Sequence, residues 1–353
     1  MSVITPQNAQ QVETMEGFEG RYTEVDGLVV GFETYTADTD PAELFRGLPG
    51  DRCQCPHWGV VLRGELIYRH ADGSEDRITA GQAYSVGPGH LPVFTAGVLD
   101  VLPDGVGHAI VDAWRDGPDT VVLMRDVGPY IPGWTRTLER AECHRILAAA
   151  AAVHDAFRGD RPPGLCDLAD RLTLLWPQRM SPLAGGPNPL PGLVLRGWRW
   201  FAELAEPQVV RAVTALQEEP SPLVTALAAY PHTLLHGDLW PVNLALEPGQ
   251  VTLLDWSAAT WGPPVVEFAV LLTGGAGHVK GGHDAVLADV RAVSTAWQDE
   301  DGLRLGLVAG LMELGWNKAL DAAEHPDPRQ RARAHADLEW WVQAAAPGLA
   351  TLR

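Results

Sequence analysis

Lysine is almost missing from this chain. Lys280 and Lys318 are the only two, so nearly all positive charge is carried by arginine. Acidic residues outnumber basic ones by 45 to 26, a formal net charge of -19. With no basic excess to lay against phosphates, nucleic acid is not an expected partner. Cysteine is scarce too. Cys53, Cys55, Cys143 and Cys166 are too few to form the dense framework of a disulfide-stapled secreted domain. No apolar run reaches the roughly 20 residues that span a bilayer. The stretch Gly302–Trp316 is interrupted by Arg304 and Glu313. The opening MSVITPQNAQQVETMEG is polar and lacks the basic-then-apolar layout of a secretion signal. The expectation is a soluble, cytoplasmic protein with no membrane partner.

A length of 353 residues fits two domains of roughly 100–200 residues each. The front reads as β. Gly27–Tyr35 and His57–Arg63 are rich in Val and aromatic residues, and Glu65–His70 and Glu75–Thr79 flank the turn signal Ala71-Asp72-Gly73-Ser74. Gln82–Val86 and Leu91–Thr95 extend the run, and short strands at this spacing predict a small sandwich or barrel. Thr120–Met124 predicts one more strand. Beyond it the periodicity becomes helical over Leu138–Phe157, Gln208–Gln217, Pro222–Tyr230, Asp284–Trp297, Leu303–Ala323 and Gln330–Ala345. The Pro- and Gly-rich stretch 162–191 predicts loops.

The most informative segment is LLHGDLWPVNLALEPGQVTLLDW, residues 234–256. His236-Gly237-Asp238 is followed after four residues by Asn243, and Asp255 closes an apolar run. Phosphoryl transfer from a nucleotide asks a protein for positioning and charge stabilisation. Asp238 offers a carboxylate for an attacking hydroxyl. Asn243 and Asp255 offer the oxygen ligands that magnesium, a hard cation, prefers. A buried strand over Val251–Leu254 would hold Asp255 rigidly at its end.

This segment resembles the catalytic and metal-binding loops of the aminoglycoside phosphotransferase and choline kinase group, which has the protein-kinase-like fold. The resemblance implies Asp238 as catalytic base, His236 as support for the loop, and Asn243 and Asp255 on magnesium, with ATP as phosphoryl donor. Val121–Gly128 is similar to the segment joining the two lobes, which implies backbone contacts to adenine from Met124, Arg125 and Asp126. Ala149–His154 and Gly262–Ala269 resemble further segments of the group, which usually has Asp where this chain has Glu267. The resemblance covers roughly residues 97–353. His154 and Glu267 read as structural residues.

The group's N-terminal lobe carries a lysine that holds the nucleotide phosphates. Here no lysine precedes residue 280. Arg63, Arg69 and Arg77 are not neutral replacements and read as solvated strand residues. Residues 17–96 instead resemble a small cupin, carried by CQCPHWGVVLRGELIYRHADGSEDRITAGQAYSVGPGH (53–90). Cys53, Cys55 and His57 alternate, so an extended strand would face all three to one side, and His90 can close the set. Cysteine and histidine suit zinc or another transition metal. The glutamate usual in metal-binding cupins is replaced by Val61 or Leu62. The alternative is that the cysteines fill the barrel as small apolar residues and His57 hydrogen-bonds inside.

The expected fold class is therefore α+β. A small cupin-like β-barrel (residues 1–96) precedes a protein-kinase-like, mostly helical lobe (97–353), in which 97–128 is the hinge and remnant of a truncated N-terminal lobe. Three functional readings stay open. One is a small-molecule kinase that transfers the terminal phosphoryl group of ATP to a hydroxyl acceptor. The second is a catalytically inactive cupin–pseudokinase fusion that binds a ligand or metal without turnover. In the third, the cupin is the working part, as a metal-dependent enzyme or sensor.

Overall fold

The structure is a computed structural model. It describes the chain except residues 1–3, 16, 26, 36–39, 41, 43–44, 63, 80–81, 96–97, 117–118, 134–135, 163–164, 294–298 and 353. Arg63 and the end of the helix expected over Asp284–Trp297 thus lie outside the described residues. The chain folds as two compact units, Met1–Leu102 with Ala109–Asp126, and Pro103–His108 with Val127–Arg353.

The first unit is built of short antiparallel strands. Strands β1 (Gln11–Met15), β2 (Phe18–Val25) and β3 (Leu28–Tyr35) form a meander. Next come β4 (His57–Val60), β5 (Glu65–His70), β6 (Glu75–Thr79), β7 (Ala83–Val86) and β8 (His90–Thr95). Strand β4 pairs with β7, while β5 lies between β6 and β8. The turn at 71–74 is closed by the His70 N–H donating to the Ser74 carbonyl at 2.9 Å, with Gly73 at φ 84°. A closed barrel was expected. The described strands form separate sheets instead. The reason lies in the core: Leu66, Tyr68, Ile78 and Val86 make one small buried cluster with Val61 and Tyr84 against it. Trp58 and Val60 of β4 face solvent, so β4 has no second apolar layer to close over.

Strand β9 (Val106–His108) belongs to the second unit, whereas β10 (Ile110–Asp116) and β11 (Asp119–Met124) form a hairpin in the first. Met124 ends that hairpin. The Arg125 N–H donates to the Ala109 carbonyl at 2.9 Å, and Asp126 follows.

The second unit is mostly helical. In order it contains α1 (Arg140–Ala156), β12 (Cys166–Asp167), α2 (Leu168–Thr173), α3 (Pro177–Met180), α4 (Leu190–Leu204), α5 (Pro207–Glu218), α6 (Ser221–Ala228), β13 (Thr233–Leu235), β14 (Leu244–Glu247), β15 (Gln250–Leu253), β16 (Thr260–Gly262), α7 (Pro264–Gly275), α8 (Gly282–Val293), α9 (Glu300–Glu324) and α10 (Pro328–Thr351). Its centre is α9, apolar on all sides from Leu303 to Trp316 apart from Arg304 and Glu313, the pattern of a helix buried in a core. Helices α4, α7 and α10 pack around it. At Gly306 a Cβ would come within 2.5 Å of the Val265 carbonyl oxygen, so only glycine lets α7 approach this closely. Trp341 and Phe201 are fully buried there; truncating either to alanine costs about 3–5 kcal/mol in such cores.

Two small sheets carry the polar segment. Strand β13 pairs with β16, and β14 with β15. Strand β15 also runs parallel to β9, from Val251 opposite Val106 to Leu253 opposite His108.

Candidate active site

Residues 236–243 link β13 to β14, and Asp255 follows the end of β15. The linker is a tight double turn. The Trp240 N–H donates to the Asp238 carbonyl at 2.8 Å, and the Asn243 N–H to the Trp240 carbonyl at 2.9 Å. The Asn243 side-chain nitrogen donates to Asp238 Oδ2 at 2.8 Å and to the Asp238 carbonyl at 3.1 Å. With its nitrogen committed, Asn243 has its amide oxygen left for a cation. The Leu254 N–H donates to the Asn243 carbonyl at 2.9 Å, which ties the two candidate magnesium segments together. Asp255 has left-handed backbone angles, φ 57° and ψ 70°, and accepts from the Ser257 N–H at 3.3 Å. A non-glycine residue in this region stores strain of order 1–3 kcal/mol, a feature that clusters at functional sites.

His236 is buried and uses both ring nitrogens. Nε2 lies 2.7 Å from the Leu254 carbonyl, which can only accept, so Nε2 carries the proton. Nδ1 then accepts from the Asp238 N–H at 3.3 Å. The imidazole thus bridges the loop bearing Asp238 to the strand end bearing Asp255. Trp256 packs edge-on against it.

Buried polar residues from other elements hold the loop. Glu267 on α7 is buried and accepts from the His236 N–H at 2.5 Å and the Gly237 N–H at 3.0 Å. His154 on α1 lies 3.6 Å from the same carboxylate. Burial alone would raise the Glu267 carboxyl; His154 and the Gly237 N–H outweigh it and hold it below its ordinary value. Arg171 on α2 donates to the Gly237 carbonyl at 2.8 Å and pairs with Glu313 on α9 at 2.8 Å. Burial pushes the Glu313 carboxyl up to about 7, against the pull of Arg171. The polar break in the apolar run of α9 is thus the residue that anchors the arginine under the loop.

Asp238 itself is raised above the ordinary aspartate value. Burial is the largest cause, the Arg171 charge and the Asn243 hydrogen bond oppose it, and the Asp255 carboxylate adds to it.

Gly237 has φ 82°, and a Cβ there would lie 2.1 Å from the Ala258 carbonyl oxygen. Gly237→Ala is expected to cost about 1–3 kcal/mol in backbone strain. By displacing Asp238 it should also lower turnover roughly 10²-fold. Thermal unfolding and kcat measured on the same preparation check both.

The structure gathers His236, Asp238, Asn243 and Asp255 in one region of the second unit. Sequence reasoning missed Arg171 and Glu313. The one signal available was a glutamate in the middle of an apolar helix. Both lysines are engaged: Lys280 pairs with Glu139 at 3.2 Å, and the buried Lys318 with Asp337 at 3.5 Å. Arg69 pairs with Asp40 and Glu75, and Arg77 with Glu65 and Glu75. In the first unit Cys53, His57 and His90 come together. Cys55 does not join them: the chain bends at Cys55 before β4 begins at His57, so strand alternation does not hold and its thiol is exposed. A groove of about 650 Å³ between α4 and α5, lined by Leu195, Trp198, Phe201 and Val213, contains none of these residues.

No helix among the described residues is long and apolar enough to cross a membrane. No curated protein matches the sequence. Several solved structures do. An aminoglycoside phosphotransferase from Alicyclobacillus acidocaldarius is 16% identical over 100% of this chain and 96% of its own, with a TM-score of 0.35. A choline/ethanolamine kinase family protein from Mesorhizobium loti is 15% identical over 69% of this chain and 79% of its own, with a TM-score of 0.40. The ternary complex of an aminoglycoside phosphotransferase with ADP and hygromycin B is 11% identical over 97% of this chain and 96% of its own, with a TM-score of 0.36. The family described as "Phosphotransferase enzyme family" matches residues 122–305, just over half of the chain. That segment includes His154, Arg171, His236, Asp238, Asn243, Asp255 and Glu267, and by this match the chain belongs to the phosphotransferase enzyme family.

Proposed function

We propose that the second unit transfers the terminal phosphoryl group of ATP to a hydroxyl of a small molecule. The observation that carries this reading is the Asn243 side chain. Its nitrogen is fixed on Asp238, and its backbone is tied to the segment that ends in Asp255. That arrangement leaves one amide oxygen and one carboxylate as hard donors beside a second carboxylate. Magnesium fits such a set; bound with ATP, it would neutralise charge on the phosphates. Asp238 would orient the acceptor hydroxyl and take its proton. His236, Glu267 and Arg171 would position the loop.

The test is acceptor-stimulated release of ADP across aminoglycosides, amino alcohols, choline and sugars. Stimulation by one class, dependent on magnesium, supports the proposal. Background release with every class contradicts it.

The pH profile adds a finer check. Asp238 acts as a base only when ionised, so activity is present above its raised value and lost as pH falls through it. The acid limb of kcat/KM is expected above the ordinary aspartate range. Removing Arg171 takes away the largest influence that lowers Asp238, so the limb should move further up. Replacing both members of the buried pair, Arg171→Met with Glu313→Leu, avoids stranding an unpaired charge. A limb unchanged in that double variant would contradict the assignment of the base.

One observation favours a second reading, binding without turnover. Neither lysine is free for nucleotide phosphates, because both are engaged in ion pairs inside the second unit. Under that reading ATP binds and no acceptor stimulates ADP release.

A further inference from the structure

Cys53, His57 and His90 come from three places in the first unit. Cys53 lies in an isolated bridge, His57 opens β4 and His90 opens β8. Backbone hydrogen bonds fix the bridge: the Cys53 N–H donates to the His90 carbonyl at 2.9 Å, and the Gly89 N–H to the Cys53 carbonyl at 2.7 Å. One potential ligand atom from each side chain lies within 4.8 Å of the others. Cys53 Sγ and His57 Nε2 are 3.2 Å apart. Around a tetrahedral metal with bonds of about 2.0–2.3 Å, neighbouring ligand atoms sit roughly 3.3–3.7 Å apart. The observed spacing is close to that range.

His90 supplies the independent indication. Its side chain is fully buried, at 0% exposure. Nδ1 lies 2.6 Å from the Gly87 carbonyl. A carbonyl only accepts, so Nδ1 carries the proton and Nε2 keeps its lone pair. That Nε2 is buried with no hydrogen-bond partner among the described residues. A buried, unpaired acceptor costs about 1–3 kcal/mol. A carbonyl holding one imidazole nitrogen while the other points at a metal is the usual outer support of a histidine ligand. Tyr68 packs edge-on against the ring and steadies it. Cys53 is only 7% exposed, and its Sγ lies against His57 Nε2.

We propose that Cys53, His57 and His90 form a three-ligand site for a divalent transition metal of the zinc class, with no fourth ligand among the described residues. One thiolate and two imidazoles exclude magnesium and calcium, which take oxygen ligands. The set suits zinc and, by the general affinity order, cobalt as a weaker probe. This site is separate from the residues assigned to phosphoryl transfer and does not depend on that reading.

The test uses the full chain, freed of metal and titrated with cobalt(II), then with zinc as competitor. The wild type should bind one cobalt per chain with a thiolate-to-cobalt charge-transfer band that zinc abolishes. Cys55→Ala should leave band and stoichiometry unchanged. Cys53→Ala should lose the charge-transfer band. His57 is exposed, so His57→Ala should fold normally and bind at least tenfold more weakly. No cobalt binding by the wild type overturns the proposal. So does a band that survives Cys53→Ala, one that vanishes with Cys55→Ala, or affinity unchanged in His57→Ala.

Discussion

Asp238→Asn is expected to lower kcat by about 10²–10⁴-fold while leaving the protein folded. The amide occupies the same space, and its oxygen can still accept from the Asn243 side chain, which donates to Asp238 Oδ2 at 2.8 Å. What it cannot do is take a proton. Stability should not fall with activity. The folded-state value of Asp238 is raised, so the ionised carboxylate costs stability. For such a group the stabilising contribution is full below its unfolded value and is lost as pH rises through the folded one. Near neutral pH, asparagine removes that cost, so the variant should be as stable as the wild type or more so. Thermal unfolding and steady-state kinetics on one preparation separate the two effects. A variant that unfolds, or keeps wild-type turnover, contradicts the role assigned to Asp238.

Glu267→Ala is expected to destabilise the second unit strongly. Two buried backbone N–H groups, of His236 and Gly237, donate to this carboxylate at 2.5 and 3.0 Å. Alanine strands both donors and leaves His154 facing an apolar gap. Removing one partner of a buried polar cluster costs on the order of 3–5 kcal/mol. For a unit of this size that is about 6–20 °C in Tm. Turnover should fall too, because the same N–H groups set the path of the loop into Asp238. Glu267→Asp keeps the charge on a shorter arm and should be milder in both respects. Denaturant unfolding of the three proteins side by side checks the order. Equal stability of Glu267→Ala and wild type would mean that the clamp contributes nothing.

The site residues differ in how visible they are in the sequence. His236, Asp238, Asn243 and Asp255 lie within twenty positions, so their spacing together with the family resemblance singles them out as candidates. Glu267, Arg171 and Glu313 act on the loop from α7, α2 and α9. Nothing local in the sequence links Arg171 to the Gly237 carbonyl; the contact exists only once α9 is packed. Strands β5 and β6 were readable to the residue because a turn with Gly73 at positive φ separates them. Strands β1 and β2 were not read. QVETM is exposed along its whole length, so it has no buried face to impose a period of two. Helix α4 was obscured by the prolines and glycines before it, although Pro191 near its first turn is a start signal. The expectation that Cys53, Cys55 and His57 share one face of a strand fails at one bend. A two-residue alternation requires an unbroken strand, and here the strand starts only at His57.

The central claim is that Asp238 and Asp255 serve one chemical step at one site. It is tested most directly by kcat for Asp238→Asn, Asp255→Asn and the double variant, each with the same acceptor. Residues that act as a unit give strongly non-additive losses. The prediction is that each single change removes nearly all turnover and the double variant is little worse than either. Turnover that survives in either single variant, or losses that multiply as independent factors, would contradict it.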